Sequence, residues 1–409
     1  MRRNLRINGA RLSSRLQRLA EQGARPDGGV CRLALTDADK AGRDLVVGWM
    51  RELGLEVSID GVGNVVGLRD GREDGAPVMM GSHIDTVATG GPFDGALGVM
   101  VGLEVVETLN DAGLVTKLPL AVAFFTNEEG ARFQPDMFGS LVFTGALPLE
   151  AALATIAVDG AVAGEELRRI GYAGAAPVGK PDVHAYVELH VEQGPTLEAE
   201  GFRIGAVEGV QGISWTEFTL TGQSNHAGTT PMRLRHDAGF VAAQIAVFAR
   251  KLAEDIGGYQ VATVGALTLT PNLVNVVAQR ALMTVDLRNT DNDKLKEAER
   301  RLFAFVAQAA QAEGVTVETR TLARFDPVAF APHLVARVEE IAREFELPVK
   351  RLPSGAGHDA QMLAAVCPSC MIFTPSVGGI SHNIKEYTKP EDLAAGADVL
   401  LRLVCELAE

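Results

Sequence analysis

Cysteine is scarce in this chain, four among 409 residues. A disulfide framework of the kind that staples small secreted domains is therefore not its organising principle, and a reducing compartment is expected. Cys367-Pro368-Ser369-Cys370 is a CxxC without a second pair, which removes the usual basis for a structural zinc site. Positive charge is in deficit too: 38 Lys and Arg stand against 52 Asp and Glu, a formal net charge of −14. That balance argues against nucleic acid or an anionic membrane as a partner. No charge-free apolar run is long enough to span a bilayer. The opening Met1-Arg2-Arg3-Asn4-Leu5-Arg6 is basic but lacks the apolar stretch that a secretory or twin-arginine signal needs, so a cytoplasmic location is expected. Internal repeats, low-complexity segments and long Gly/Ser linkers are missing. There is no G-x-x-x-x-G-K-[ST] and no acid placed to bind a ribose, so nucleotide binding is not expected.

What is present is apolar residues at 47%, enough for a large interior, in a chain too long for one typical core. Leu12, Leu16 and Leu19 recur at helical spacing, and helix is predicted from residue 8 to about 55, with Thr36 or Asp37 capping its second part. Strands are predicted over 56–59, 64–68, 77–80, 118–126 and 183–190, with a helix over 97–112. Alternation of this kind implies an α/β fold, a mixed, largely parallel sheet flanked by helices. From about residue 212 the order becomes β-α-β-β-α-β, with strands over 214–221, 260–268, 282–288 and 315–321 and helices over 237–254 and 291–313. This is the ferredoxin-like plan. Domain boundaries are expected at 1–211, 212–326 and 327–409, the middle segment being an insertion into one catalytic domain.

Five potential metal ligands lie in settings suited to a two-metal hydrolase. They are His83 in Gly81-Ser82-His83-Ile84-Asp85, Asp94 in Gly90-Gly91-Pro92-Phe93-Asp94-Gly95, Glu129 in Asn127-Glu128-Glu129-Gly130, His190 in Glu188-Leu189-His190-Val191-Glu192, and His382 in Ser381-His382-Asn383. His83, Glu128/Glu129 and His190 close predicted strands, where open α/β sheets place their sites. Asp85 is a candidate acceptor for the second ring N–H of His83. Adjacent Glu128 and Glu129 point apart, so one can face cations and the other a substrate water. Each motif alone has a plainer reading: a satisfied turn histidine, a helix-capping Asp, a solvated acidic turn. His226, in Ser224-Asn225-His226-Ala227-Gly228, is either an oxyanion donor or a loop histidine bonded to its own turn. Gly357-His358-Asp359 suggests glycines lining a ligand, with the His-Asp pair supporting it.

The set as a whole resembles the dinuclear-metal aminoacylase/carboxypeptidase family, in particular its amidase branch of N-carbamoyl-L-amino acid hydrolases, β-ureidopropionases and allantoate amidohydrolases. The phrases that carry the likeness are Asn127-Glu128-Glu129-Gly130-Ala131-Arg132-Phe133, His190-Val191-Glu192-Gln193-Gly194-Pro195 and Gly357-His358-Asp359-Ala360. The resemblance implies a zinc-peptidase-like catalytic domain with two divalent ions per subunit (Zn, Mn, Co or Ni). Asp94 would bridge them, His83 and His190 would complete one site, and Glu129 and His382 the other. Glu128 would be the general base. The inserted unit would act as lid and dimerisation surface of a homodimer, with His226 reaching the partner's site. Arg288 would clamp the carboxylate of a small substrate, with Asn275, Gln193, Gly357 and His358 as further substrate contacts. The expected reaction is hydrolysis of N-carbamoyl-L-amino acids. Alternatives are hydrolysis of allantoate or another N-acylated amino acid and, in a different class, a non-catalytic dimeric binding protein. Ala278-Gln279 and Asn289 depart from the family pattern near the substrate residues.

Overall fold

The computed structural model describes residues 5–179 and 181–409; Met1-Arg2-Arg3-Asn4, where the twin-arginine reading falls, lies outside the described residues. The chain forms two compact units, one drawn from Met1–Gly209 and Ala329–Glu409, the other Val210–Val328.

The first unit is built on a sheet whose middle is parallel. Strands β1 (Glu56–Ile59), β2 (Val65–Arg69), β3 (Val78–His83), β4 (Leu120–Phe125), β5 (Ala185–Val191), β6 (Ile204–Val210) and, far along the chain, Ser369–Thr374 run in the order β1-β2-β4-β3-β5-(Ser369–Thr374)-β6. β4, β3, β5 and Ser369–Thr374 are mutually parallel, and the outer pairings are antiparallel. The reason is visible in the sequence. β3, β4 and β5 are buried along their whole length and mostly apolar, which suits a sheet covered on both faces. The crossover from β3 to β4 is the helix Ala96–Asp111, apolar nearly all round and buried accordingly.

Thr36 caps the helix Asp37–Glu52 by accepting from the Asp39 amide, and Asn8 caps Gly9–Ala20 in the same way. Between them the single predicted helical region breaks: residues 21–36 form turns and an isolated Ala24–Val30 bridge. Gly23, at φ +93°, packs so closely on the Cys31 carbonyl that a Cβ would lie 2.6 Å from its oxygen, so the chain must reverse there.

The second unit carries β7 (Gly212–Thr221), β8 (Val261–Thr270), β9 (Arg280–Asn289) and β10 (Thr316–Phe325) in the antiparallel order β10-β7-β9-β8. Helices Ala238–Ile256 and Asn292–Glu313, capped by Asp237 and Asp291, cover one face. Phe218, Met283 and Val285 from the strands meet Val241, Ile245 and Leu302 from the helices in a separate core. This is the ferredoxin-like plan read from the sequence. Among the described residues, no helix is long and apolar enough to cross a membrane.

Candidate metal centre and active site

Strand ends and two loops of the first unit deliver five side chains to one point. His83 ends β3, and His190 is the penultimate residue of β5. Each imidazole fixes its tautomer on a backbone carbonyl: His83 Nδ1 donates to Asp85 O at 2.9 Å, and His190 Nδ1 donates to Val191 O at 2.8 Å. Both Nε2 lone pairs are thereby left to face the same carboxylate, the arrangement that metal-binding histidines use. Asp94 Oδ1 lies 3.2 Å from His190 Nε2 and 3.9 Å from His83 Nε2. Its other oxygen, Oδ2, lies 3.2 Å from His382 Nε2, which in turn is 3.2 Å from Glu129 Oε2. Asp94 is thus shared by two donor sets, His83/Asp94/His190 and Asp94/Glu129/His382, each within 4.8 Å.

Close approach by the backbone makes this possible. Gly95, at φ +63°, opens the helix Ala96–Asp111, and a Cβ there would lie 2.3 Å from the His83 ring. Its amide also points at His190 Nε2, 3.2 Å away.

The donor sets fit divalent cations. Asp94, Glu128 and Glu129 are buried or nearly so around one cavity, and ionised carboxylates held there without compensation cost on the order of several kcal/mol. Glu129 Oε1 has no hydrogen-bond partner among the described residues although it is buried. Asp94 and Glu129 hold the His382 imidazolium so strongly that its pKa rises to about 11, while burial pushes His83 down to about 4. A buried neutral imidazole at His83 and an orphaned carboxylate oxygen at Glu129 are what a bound cation would take up.

Glu128 stands beside the donor sets, its Oε2 3.3 Å from His83 Nε2. Burial, then the charges of Asp359, Glu129, Asp94 and Asp85, raise its carboxyl well above the usual range. A carboxylate in such surroundings is a strong base.

Asp85 requires a correction. Its carboxylate is not the acceptor of the His83 ring proton, since Oδ1 lies 3.8 Å from Nδ1 and the Asp85 carbonyl takes the bond. The carboxylate is drawn instead to main-chain amides, accepting from Glu128 N at 3.2 Å and Glu129 N at 3.4 Å. It therefore orients Glu128 and Glu129 through their backbone. Burial comes first, and nearby Asp39 and Glu129 next, in raising its pKa to about 8.

Gln193, Gly357 and His358 line the cavity of about 120 Å³ over this point. Gln193 Nε2 donates to Asp94 Oδ2 at 2.9 Å. His358 is buried, its Nε2 2.8 Å from Ser354 Oγ and its ring edge-on to His190 with centroids 4.5 Å apart. Glu188 and His358 also cluster with His190. The Glu188 oxygens are already taken by Ser82 Oγ, Tyr186 OH and the Ala360 amide, so it braces the strands.

His226, Asn275 and Arg288 belong to the second unit. His226 is exposed, and its Nδ1 accepts from Gly228 N at 3.0 Å and Thr229 N at 3.3 Å, which leaves the proton of the neutral ring on Nε2. A bridge between His226 and Val276 and an Ala227 N to Asn275 O bond bring the His226 and Asn275 loops together. Arg288 pairs with Asp286, and its guanidinium carbon lies 5.8 Å from the Trp215 ring centroid.

Glu386 was not singled out by sequence. Its Oε1 accepts from both Phe93 N and Asp94 N at 3.0 Å, and Ser381 Oγ links its Oε2 to Asp94 Oδ2. The only signal was an acid four residues after His382. Glu386→Ala leaves two buried amides unpaired, costing about 1–3 kcal/mol each. It is expected to weaken divalent-metal affinity about 10- to 100-fold, as measured by competition with a chelating dye.

A family description, peptidase family M20/M25/M40, matches residues 79–406. The chain belongs to this family. Among M20/M25/M40 relatives, the N-carbamoyl-L-amino-acid amidohydrolase of Rhizobium meliloti is 44% identical, covering 99% of this chain and 98% of its own. The N-carbamoyl-L-amino acid amidohydrolase of Geobacillus stearothermophilus is 40% identical, covering 98% and 99%. A crystal structure of a hydantoinase/carbamoylase family amidase from Burkholderia multivorans superposes with a TM-score of 0.97 at 47% identity, covering 99% and 98%. The likeness extends over both units of this M20/M25/M40 chain, not over the metal-site motifs alone.

Proposed function

We propose that this protein is a metal-dependent amidohydrolase that cleaves the carbamoyl C–N bond of N-carbamoyl-L-amino acids, giving the free amino acid, carbon dioxide and ammonia. The observation that carries the reading is Asp94, whose two carboxylate oxygens face two separate donor sets with Glu128 alongside. The full-length relatives bearing the N-carbamoyl-L-amino-acid amidohydrolase name support the substrate class.

His83, Asp94 and His190 would hold one divalent cation and Asp94, Glu129 and His382 the other (Zn²⁺, Mn²⁺, Co²⁺ or Ni²⁺), and bound cations polarise a carbonyl and acidify water. Glu128 takes a proton from the attacking water and returns it to the leaving nitrogen of the amino acid. Asp85 keeps Glu128 in place through its amide. His226, with its proton on Nε2, donates to the developing oxyanion. Arg288 pairs with the α-carboxylate of the substrate in place of Asp286, and Asn275 and Gln193 supply further polar contacts. The carbamate released falls apart to ammonia and carbon dioxide.

The second unit serves as lid and dimerisation surface, with His226 acting in the partner's site. Its exposed Phe240, Val247, Val261 and Leu267 support an apolar contact of that kind. Four free cysteines support a reducing, cytoplasmic setting. Ammonia release tests the substrate class, with N-carbamoyl-L-methionine, β-ureidopropionate and allantoate each supplied with Mn²⁺, Co²⁺, Ni²⁺ or Zn²⁺. The expected result is the highest kcat/KM for N-carbamoyl-L-methionine. Preference for allantoate, or no turnover of any N-carbamoyl compound, contradicts it.

A further inference from the structure

The cavity over the metal centre contains one carboxylate to which no task has been given. Four acids line it: Asp94, Glu128, Glu129 and Asp136. Asp94 and Glu129 belong to the donor sets, and Glu128 stands beside them as the base. Asp136 is different in kind, since it is exposed to solvent and lines the cavity beside Met137, whose side chain lies against Gly357. Its position is nevertheless fixed. Gly130, at φ +61°, packs against it so tightly that a Cβ would lie 2.8 Å from the Asp136 Cα, and the next residue's amide is tied to the Glu128 carbonyl at 2.8 Å. Among the described residues the Asp136 carboxylate accepts from no residue other than itself, which leaves it open to accept from a group that enters the cavity it lines.

The chemistry of the entering group follows from the walls. No Lys or Arg lines the cavity, and its polar surface is carboxylates, imidazoles and one amide. A ureido group brings a carbonyl oxygen, the scissile nitrogen and a terminal NH2 with two donors. The carbonyl belongs with the cations and the scissile nitrogen with Glu128. The terminal NH2 still needs an acceptor. A formyl or acetyl group on the same amino acid has hydrogen or methyl at that place and asks for none.

We propose that Asp136 is a specificity-determining residue that accepts a hydrogen bond from the terminal NH2 of the ureido group, and so sets a preference for carbamoyl over formyl and acetyl substituents. The inference rests on the amidohydrolase reading. A hydrogen bond to a charged acceptor changes transition-state binding by about 10- to 100-fold, and only substrates that supply the donor feel its loss.

The test compares metal-replete wild type, Asp136→Ala and Asp136→Asn on N-carbamoyl-L-methionine and N-formyl-L-methionine. For the alanine variant kcat/KM on the carbamoyl substrate is expected to fall about 10- to 100-fold, with the formyl substrate nearly unchanged. The asparagine variant, which keeps a neutral acceptor, is expected to fall between. Equal losses on both substrates, or no loss on either, overturn the role of Asp136 while leaving the amidohydrolase reading in place. A wild type inert toward every carbamoyl substrate overturns that reading, and the role of Asp136 with it.

Discussion

Glu128→Gln is expected to lower turnover about 10²- to 10⁴-fold while the metal content of the protein stays the same. Gln copies the shape of Glu and removes only its capacity to take a proton. The metal donors are untouched, because Glu128 belongs to neither of the two sets that share Asp94. A second consequence separates this account from a merely structural role. Burial, and after it the charges of Asp359, Glu129, Asp94 and Asp85, raise the Glu128 carboxyl well above the usual range. A carboxyl with a raised folded-state pKa binds protons more readily folded than unfolded. Metal-free protein therefore loses stability from this group as pH rises past its unfolded-state value. Gln removes that loss, so the metal-free variant is expected to melt no lower than wild type at neutral pH. A variant that is inactive because it is unfolded or metal-depleted contradicts the assignment.

Asp94→Ala is expected to release both cations together and to take activity below detection. Each donor set would keep two ligands, His83 with His190 and Glu129 with His382, where three are needed for a stable site. The loss should exceed the 10- to 100-fold weakening, approximately, that follows from losing an outer partner such as Glu386. The fold is expected to survive, because Glu386 holds the main-chain amide of residue 94 rather than its side chain. Equilibrium dialysis followed by elemental analysis reads the stoichiometry. Retention of one tightly bound ion per chain would show that Asp94 does not serve both sites.

The elements that position the site were largely visible in the sequence. β3, β4 and β5 are apolar runs that stop at a histidine or a pair of glutamates, and that interruption marks both a strand end and a functional group. The ferredoxin-like order was visible because Asp237 and Asp291 cap its helices and its strands alternate. Strand β6 was not predicted. Gly205 and Gly209 weaken its pattern, yet Gly205 is there because a Cβ would lie 2.9 Å from that of Phe373 on the neighbouring strand. The place of the Ser369–Thr374 strand between β5 and β6 depends on pairing across long stretches of chain. The choice between the carbonyl and the carboxylate of Asp85 depends on how the chain turns after His83, which composition does not encode. Glu386 reaches Phe93 and Asp94 across some 290 residues of sequence, and only the fold brings them together.

The most direct test of the central claim is anomalous diffraction from crystals of the metal-replete protein, recorded on either side of the absorption edge of the metal supplied. Two peaks are expected about 3.5–4 Å apart, one among His83, Asp94 and His190 and the other among Asp94, Glu129 and His382, with Asp94 between them. A single peak, or peaks away from Asp94, would contradict the account.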